Sequence, residues 1–182
     1  DERIHLNAEI KLIDEHTLQV SGQNKKFDAV VHAYNPNRQE SKRHVWTLHF
    51  DAPKSPLKSK HIVLNANVKL ENQLIAHIAV PSDIQSSYAP SGRSLVTVTV
   101  VGQAAEKREL TTSDAIQEQV MKELRSIFGA QVGDWQNLAI QHIEHALPEV
   151  GSEQALTGQP SESVREYECG DHTVHGSVEG AL

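Results

Sequence analysis

The sequence is poor in the residues that mark several large classes of protein. Cysteine occurs once among 182 residues, at Cys169, which excludes an internal disulfide and fits a reducing cytoplasm. No apolar run reaches 18 residues, so no transmembrane segment is predicted. Aromatic residues make up 4% and the formal net charge is −7. Without a basic patch that contains aromatic side chains, we expect no nucleic-acid partner.

The remaining composition is that of an ordinary folded protein. Hydrophobic residues make up 38% and charged residues 23% of the sequence, which argues against intrinsic disorder. The low aromatic content means that aliphatic side chains must supply the core. A chain of this length is expected to form one domain with a sizeable core, or two unequal pieces.

Apolar and β-branched stretches separated by turn residues predict a chain rich in strands. Residues 114–128 instead have helical periodicity: Thr112, Ser113 and Asp114 are expected to cap this helix, and Gly129 is expected to end it. Its buried face is predicted to carry Ile116, Val120, Leu124 and Ile127. A second stretch, residues 135–147, is expected to be a strand or a short helix. The predicted strands are residues 4–13, 17–20, 27–33, 45–50, 61–65, 74–80 and 95–101, with a turn at residues 22–24.

The last sixteen residues carry the most informative pattern. A short run ends in Gly170-Asp171, a loop follows, and Gly-Ser-x-Glu-Gly-Ala at residues 176–181 predicts the start of a helix. Unpaired N–H groups at a helix N-terminus suit a pyrophosphate, and glycine allows the backbone to approach it closely. A strand, loop and helix with glycines that serve only packing is the alternative.

This pattern resembles the C-terminal flavin motif of the superfamily of FAD-dependent amine oxidases, phytoene desaturases and protoporphyrinogen oxidases. The strand at residues 27–33 and the segments 80–83, 87–92, 95–98, 135–138 and 145–148 are similar to the same superfamily, so the resemblance covers nearly the whole chain. It implies noncovalently bound FAD, because Cys169 does not occupy the family's covalent-flavin context. The positions that it implies for cofactor binding are Gly170, Asp171, Gly176, Ser177, Val178, Glu179 and, through its backbone at the adenine, Ile10.

The resemblance also implies an α+β fold with two kinds of domain. Residues 37–148 are expected to form a substrate-type domain, a mixed or antiparallel sheet of about five strands covered on one face by the helix. Residues 1–36 and 149–182 are expected to be remnants of a Rossmann-like FAD-binding domain. The Gly-x-Gly-x-x-Gly of a first βαβ unit does not occur, so we expect the C-terminal part of a longer enzyme, inactive alone and unable to hold FAD tightly.

The activity implied is hydride removal from a C–H or C–N bond, with an isoprenoid polyene or an amine as the small-molecule substrate. A freestanding, non-catalytic binding module that uses the same sheet is the alternative. The apolar strands of the cofactor-domain remnants, at Val30 and Val31 and before Gly170, would favour self-association into a homo-oligomer or pairing of the two remnants within one chain.

Other residue clusters point to no metal site and to no assigned catalytic residue. His172 and His175 beside Asp171 fall in a predicted loop, where their spacing does not converge on a metal. His142 and His145 could share a helix face if residues 135–147 are helical, and a solvated polar surface is then the simpler interpretation. Cys169 is typical of a small buried hydrophobe. Two alternatives, a substrate cavity and core packing, stay open for Trp46, Trp135 and Tyr88.

Overall fold

The computed structural model describes residues 4–33, 43–57, 59–66, 73–146 and 166–170. The helices are α1 Pro81–Ile84, α2 Gly102–Glu106 and α3 Ser113–Phe128, with 3-10 turns at Ser86–Tyr88 and Gly129–Asp134. The strands are β1 Ile10–Asp14, β2 Thr17–Val20, β3 Gln23–Lys26, β4 Val30–His32, β5 Val45–Ala52, β6 Val63–Leu64, β7 Ile75–Ala79, β8 Ser94–Val101, β9 Gln136–Ile143 and β10 Glu166–Glu168.

The chain divides into two compact units, residues 41–146 and residues 1–40 together with 147–182. The larger unit contains a five-stranded sheet in the order β6-β7-β8-β5-β9. All of its neighbouring strands are antiparallel, which selects the antiparallel one of the two predicted arrangements. The assignment of the chain to a substrate-type domain and two cofactor-domain segments stays a prediction.

The core of the larger unit lies between one face of this sheet and helix α3. Side chains along β5 and β8 alternate between buried and half-buried positions, because successive side chains of a strand point to opposite faces. Ile116, Val120 and Leu124 of α3 are fully buried. They belong to one cluster with the buried strand residues Leu48, Phe50, Val96, Val98 and Val100.

Helix α3 begins and ends as its sequence predicts. The Thr112 hydroxyl accepts a hydrogen bond from the Ala115 amide at 3.3 Å, which satisfies one of the free N–H groups of the first turn. Gly129 follows the helix with φ of 74°, a conformation that favours glycine. Ile127 was wrongly predicted to be buried: it is 49% exposed, while its neighbour Phe128 packs against the core.

Two carboxylates, of Asp51 and Glu123, form hydrogen bonds that connect the sheet to neighbouring segments. Asp51 of β5 accepts two hydrogen bonds from the Arg93 guanidinium, at 2.8 and 2.7 Å. These bonds hold the pKa of Asp51 below its ordinary value. Glu123 of α3 accepts hydrogen bonds from the Leu74 and Ile75 amides at 2.8 and 3.1 Å. The helix therefore anchors the start of β7 by polar as well as apolar contacts.

The smaller unit contains two separate sheets. Strands β1, β2 and β3 form an antiparallel three-stranded sheet, and β10 pairs with β4 in parallel. The sequence predicted β1 from residue 4, but Asn7 adopts a positive φ of 56° and the strand begins only at Ile10. Strand β3 replaces part of the predicted turn. Its four residues, a glutamine, an asparagine and two lysines, are all polar and exposed. The strand therefore lacks the alternation of apolar and polar residues by which strands are predicted.

No helix in the described ranges is long and apolar enough to cross a membrane.

Truncation of Leu124 to alanine should lower the free energy of unfolding by about 2–5 kcal/mol, because it leaves a cavity in a fully buried site. Ile127→Ala, on the same helix but 49% exposed, is the matched control and should cost less than about 1 kcal/mol. Urea denaturation followed by circular dichroism measures both. Equal losses would contradict the packing of α3 against the sheet.

Candidate functional site

The first candidate surface is the carboxyl end of the parallel pair β4–β10. Val30, Val31 and His32 pair in register with Glu166, Tyr167 and Glu168. The Cys169 amide donates a hydrogen bond to the His32 carbonyl at 3.0 Å and extends the ladder by one bond. The two strands therefore end together, at the same edge of the pair.

Gly170 follows this ladder with φ of 149°. Residues with a Cβ rarely adopt this conformation, so glycine is required for the chain to leave the strand in this direction. Parallel strands need a long crossover connection, and ligands of open parallel sheets bind outside the carboxyl ends of the strands. The pair thus ends in a glycine turn at the edge where such sheets bind ligands.

The cofactor-binding residues predicted from the sequence are distributed unevenly over the described structure. Gly170 lies at the end of the β4–β10 pair, whereas Ile10 belongs to the antiparallel sheet β1–β2–β3 and is 62% exposed. Asp171, Gly176, Ser177, Val178 and Glu179 lie outside the described residues, as do His172 and His175. Their roles stay predictions.

Cys169 is half-buried, where the sequence predicted a buried residue. It follows the last paired residues of β10, whose one partner among the described strands is β4. Within the described ranges, no cluster of three histidine, cysteine or acidic residues has the geometry to hold a metal ion.

The second candidate surface is the face of the five-stranded sheet opposite helix α3. Thr47 of β5 pairs with Thr99 of β8 and with Gln141 of β9, and Thr99 pairs with His77 of β7. These residues form one row across four strands. The next row, which also crosses β7, β8, β5 and β9, contains Ala79, Thr97, His49 and Ala139.

Hydroxyl and imidazole groups dominate these two rows. The His49 Nδ1 atom lies 3.1 Å from the Thr97 hydroxyl, within hydrogen-bonding distance. Burial lowers the pKa of His77 below its ordinary value of 6.5, because the charged imidazolium loses solvation. At neutral pH the row that contains His77 is therefore an uncharged set of hydrogen-bonding groups.

This polar face was not predicted from the sequence, although the residue pattern contains a signal for it. Residues 46–50 and 96–100 alternate large apolar residues with histidine or threonine, which predicts one apolar and one polar face once both segments are strands. Trp46 and Trp135, each 6% exposed, belong to the core, which supports core packing over a cavity lining for both. Tyr88 is 61% exposed.

Of the two structures predicted for residues 135–147, a strand is present, so His142 and His145 do not share a helix face. His142 lies in strand β9 and His145 follows the end of that strand. The extended backbone of β9 comes from its pairing with β5, a long-range contact that helical spacing does not reveal.

Substitution of Gly170 by alanine should strain the turn after β10, because its φ of 149° is unfavourable for a residue with a Cβ. The Cys169 amide, which is bonded to His32, should then exchange with solvent about tenfold faster. Gly133→Ala is the control, since a Cβ there meets nothing within 4 Å. Unchanged exchange at Cys169 in Gly170→Ala would contradict the requirement for glycine.

No curated protein matches the sequence, but solved structures resemble the chain. An oxidoreductase from Methanosarcina mazei has a TM-score of 0.66 and 14% identity, with 96% of this chain and 46% of that one covered. A protein from Pyrococcus furiosus has a TM-score of 0.62 and 14% identity, with coverages of 96% and 43%. Cyclohexylamine oxidase from Brevibacterium oxydans has a TM-score of 0.57 and 11% identity, with coverages of 92% and 43%.

The chain thus spans less than half the length of each of these structures, and at such identities the likeness concerns the fold. The family model described as flavin-containing amine oxidoreductase matches residues 1–182. Because this match extends over the entire sequence, the chain belongs to the flavin-containing amine oxidoreductase family.

Proposed function

We propose that this chain is the C-terminal part of an FAD-dependent oxidoreductase that removes a hydride from a C–H or C–N bond of a small molecule. The observation that carries the proposal is the parallel pairing of β10 with β4, which ends in the glycine turn at Gly170. Family membership supports a flavin as the cofactor. Bound FAD would supply the hydride acceptor, while the protein positions the substrate and excludes water.

The residues at the end of β10 fit a dinucleotide. Gly170 lets the backbone leave the strand without a side chain in the way, and its positive φ directs the chain into the segment that begins with Asp171. We propose that Asp171 accepts hydrogen bonds from ribityl hydroxyls or from water beside the phosphates. Gly176, Ser177, Val178 and Glu179 would present backbone N–H groups at a helix N-terminus.

The flavin is proposed to be held without a covalent bond. Cys169 is the only cysteine of the chain, and the resemblance does not place it in the family's covalent-flavin context; its amide belongs to the β4–β10 ladder. Its position is thereby fixed one residue before the Gly170 turn.

We further propose that the polar sheet face, defined by Thr47, His49, His77, Thr97 and Thr99, is the substrate-facing surface. The opposite face is filled by α3 and the core cluster, so it has no room for a ligand. A row of uncharged donors and acceptors would orient an amine or another polar group. A polyene would gain nothing from these hydroxyls, which would lose water without a partner.

The β4–β10 pair of the smaller unit exposes large side chains that a second polypeptide could cover. Val31 and Tyr167, neighbours in the β4–β10 pair, are 59% and 53% exposed. Apolar side chains so exposed on a two-stranded sheet favour pairing with another polypeptide. We propose that a second copy of this chain covers Val31 and Tyr167 when no other polypeptide is bound there. If the chain were a freestanding, non-catalytic binding module, it would instead be expected to stay monomeric.

Replacement of Asp171 by alanine, in a protein that contains this chain and binds FAD, should weaken FAD binding on the order of tenfold through loss of charge-assisted hydrogen bonds. The ratio of flavin to protein absorbance after gel filtration measures retention. Asp134→Ala, at an exposed position in the other unit, is the matched control. Ile10→Val should also be silent, because its proposed role is through the backbone. Undiminished flavin content in Asp171→Ala would refute the assignment.

Thr99→Val should raise the KM for cyclohexylamine about fivefold in the same flavoprotein, because one hydrogen-bonding group is lost from the polar sheet face. The side chain keeps its shape, so flavin content and folding should not change. Thr111→Val, exposed before α3, controls for the substitution itself. Steady-state oxygen uptake provides the measurement. An unchanged KM would exclude Thr99 from substrate binding.

A further inference from the structure

His44 and His142 meet at one corner of the five-stranded sheet. His44 lies just before β5 and His142 lies within β9, and their Nδ1 and Nε2 atoms are 2.8 Å apart. The two rings are nearly perpendicular, at 79°. A hydrogen bond between two ring nitrogens requires one donor and one acceptor, so at least one of these two atoms must lack a proton.

The surroundings fix both rings. The His142 ring stacks on the indole of Trp46 at 4.1 Å with an angle of 9° between the planes, and Trp46 is 6% exposed. The His44 side chain is 12% exposed and lies against Gly102 at the start of α2. A Cβ at position 102 would clash with the His44 ring, so glycine is needed for the ring to occupy this place.

The far side of His44 faces an acid. The buried Nε2 atom of His44 lies 3.1 Å from Oε1 of Glu106 in α2, but the alignment falls short of a hydrogen bond. The short distance counts as a charge contact only when the imidazole is protonated. A proton at Nε2 would then be paired with Glu106, while Nδ1–H could donate to His142.

This pair lies where the chain enters and leaves the larger unit. That unit spans residues 41–146, and the Ala146 amide donates a hydrogen bond to the Arg43 carbonyl at 2.9 Å. The histidine pair therefore lies beside this backbone hydrogen bond, where β5 begins and β9 ends.

We propose that His44 and His142 form a proton-operated clasp, which holds these two strand ends together and opens when both imidazoles are charged. When His44 carries a proton on each ring nitrogen, Nδ1–H donates to Nε2 of the neutral His142 and Nε2–H faces Glu106. A further proton, taken from solvent at His142 Nε2, places two N–H groups and two positive charges face to face. The nitrogen–nitrogen hydrogen bond is then lost and the strand ends separate.

The neighbouring charges set the direction of the pH response. Burial, and next the charge of His44, lower the pKa of His142 below its ordinary value of 6.5. Glu144, in the turn directly after β9, and Glu106 oppose this shift. Arg43 and His145 are the adjacent titratable groups along the two chain segments. Because the unfolded chain binds more protons below pH 6.5, the stability associated with His142 decreases as pH falls towards the lowered pKa.

The indole of Trp46 provides the readout, since a stacked imidazolium quenches indole fluorescence. Trp46 and Trp135 are the two tryptophans, so Trp135→Phe leaves Trp46 as the only reporter. Between pH 8 and pH 5, fluorescence should fall with a midpoint below 6.5. The Ala146 amide should exchange about tenfold faster on the acidic side, relative to the intrinsic rate at each pH. NMR spectra of the histidine side chains follow the same titration in the unsubstituted chain. They therefore test the proposal even if Trp135→Phe fails to fold.

Three further variants separate the clasp from ordinary histidine titration. His142→Gln should abolish both transitions, and Glu106→Gln should move the midpoint to lower pH because it removes a carboxylate that favours the charged form. His61→Gln, at an exposed position, should change neither. Quenching without faster exchange at Ala146 would overturn the proposal, as would imidazole and indole signals that do not titrate in this range.

Discussion

The packing of helix α3 against one face of the five-stranded sheet determines the rest of the larger unit. Three fully buried side chains of the helix, Ile116, Val120 and Leu124, meet the alternate buried residues of β5 and β8. The burial of these apolar surfaces is the dominant favourable contribution to folding. Because it occupies one side of every strand that it touches, the opposite side chains are left for hydrogen bonding.

The pairing register of β5 therefore determines which of its side chains lie on the polar face. Thr47 and His49 alternate with Leu48 and Phe50, so a slip of one residue in β5 would bury the polar pair and expose the apolar one. Such a slip would lose core packing and leave buried polar groups without partners, and both effects oppose it. A bulge between His49 and Phe50 in the pairing with β9 lets the edge strand follow this register.

Sequence reasoning was most successful where local pattern and tertiary burial agree. Helix α3, with its Thr112 cap and terminal Gly129, and the strands β5, β7 and β8 have strong periodic patterns, and the structure has them at those positions. Strand β3 has no apolar residue, and Ile127 fits the helical period but lies beyond the region that the sheet covers. The strand conformation of β3 and the exposure of Ile127 both depend on where other strands lie, which no local pattern contains.

The same limit applies to the candidate sites. Family resemblance identified Gly170, and its positive φ is consistent with the need for glycine there. The pairing of β10 with β4, more than 130 residues earlier in the chain, depends on a long-range contact that no local pattern contains. His44 and His142 are 98 positions apart, and neither has neighbours in the sequence that indicate a partner.

The 2.9 Å hydrogen bond from the Ala146 amide to the Arg43 carbonyl joins two residues near the ends of the larger unit. A unit whose ends meet in this way resembles an insertion, because it can be grafted into a surface loop of a host protein without stretching the host's backbone. The same proximity permits circular permutation. A short linker would join residue 146 to residue 43, and new termini could be opened at the turn around Gly92, where φ is 77° and no atom lies within 4 Å of an added Cβ. The sheet could then be produced and altered as an independent module.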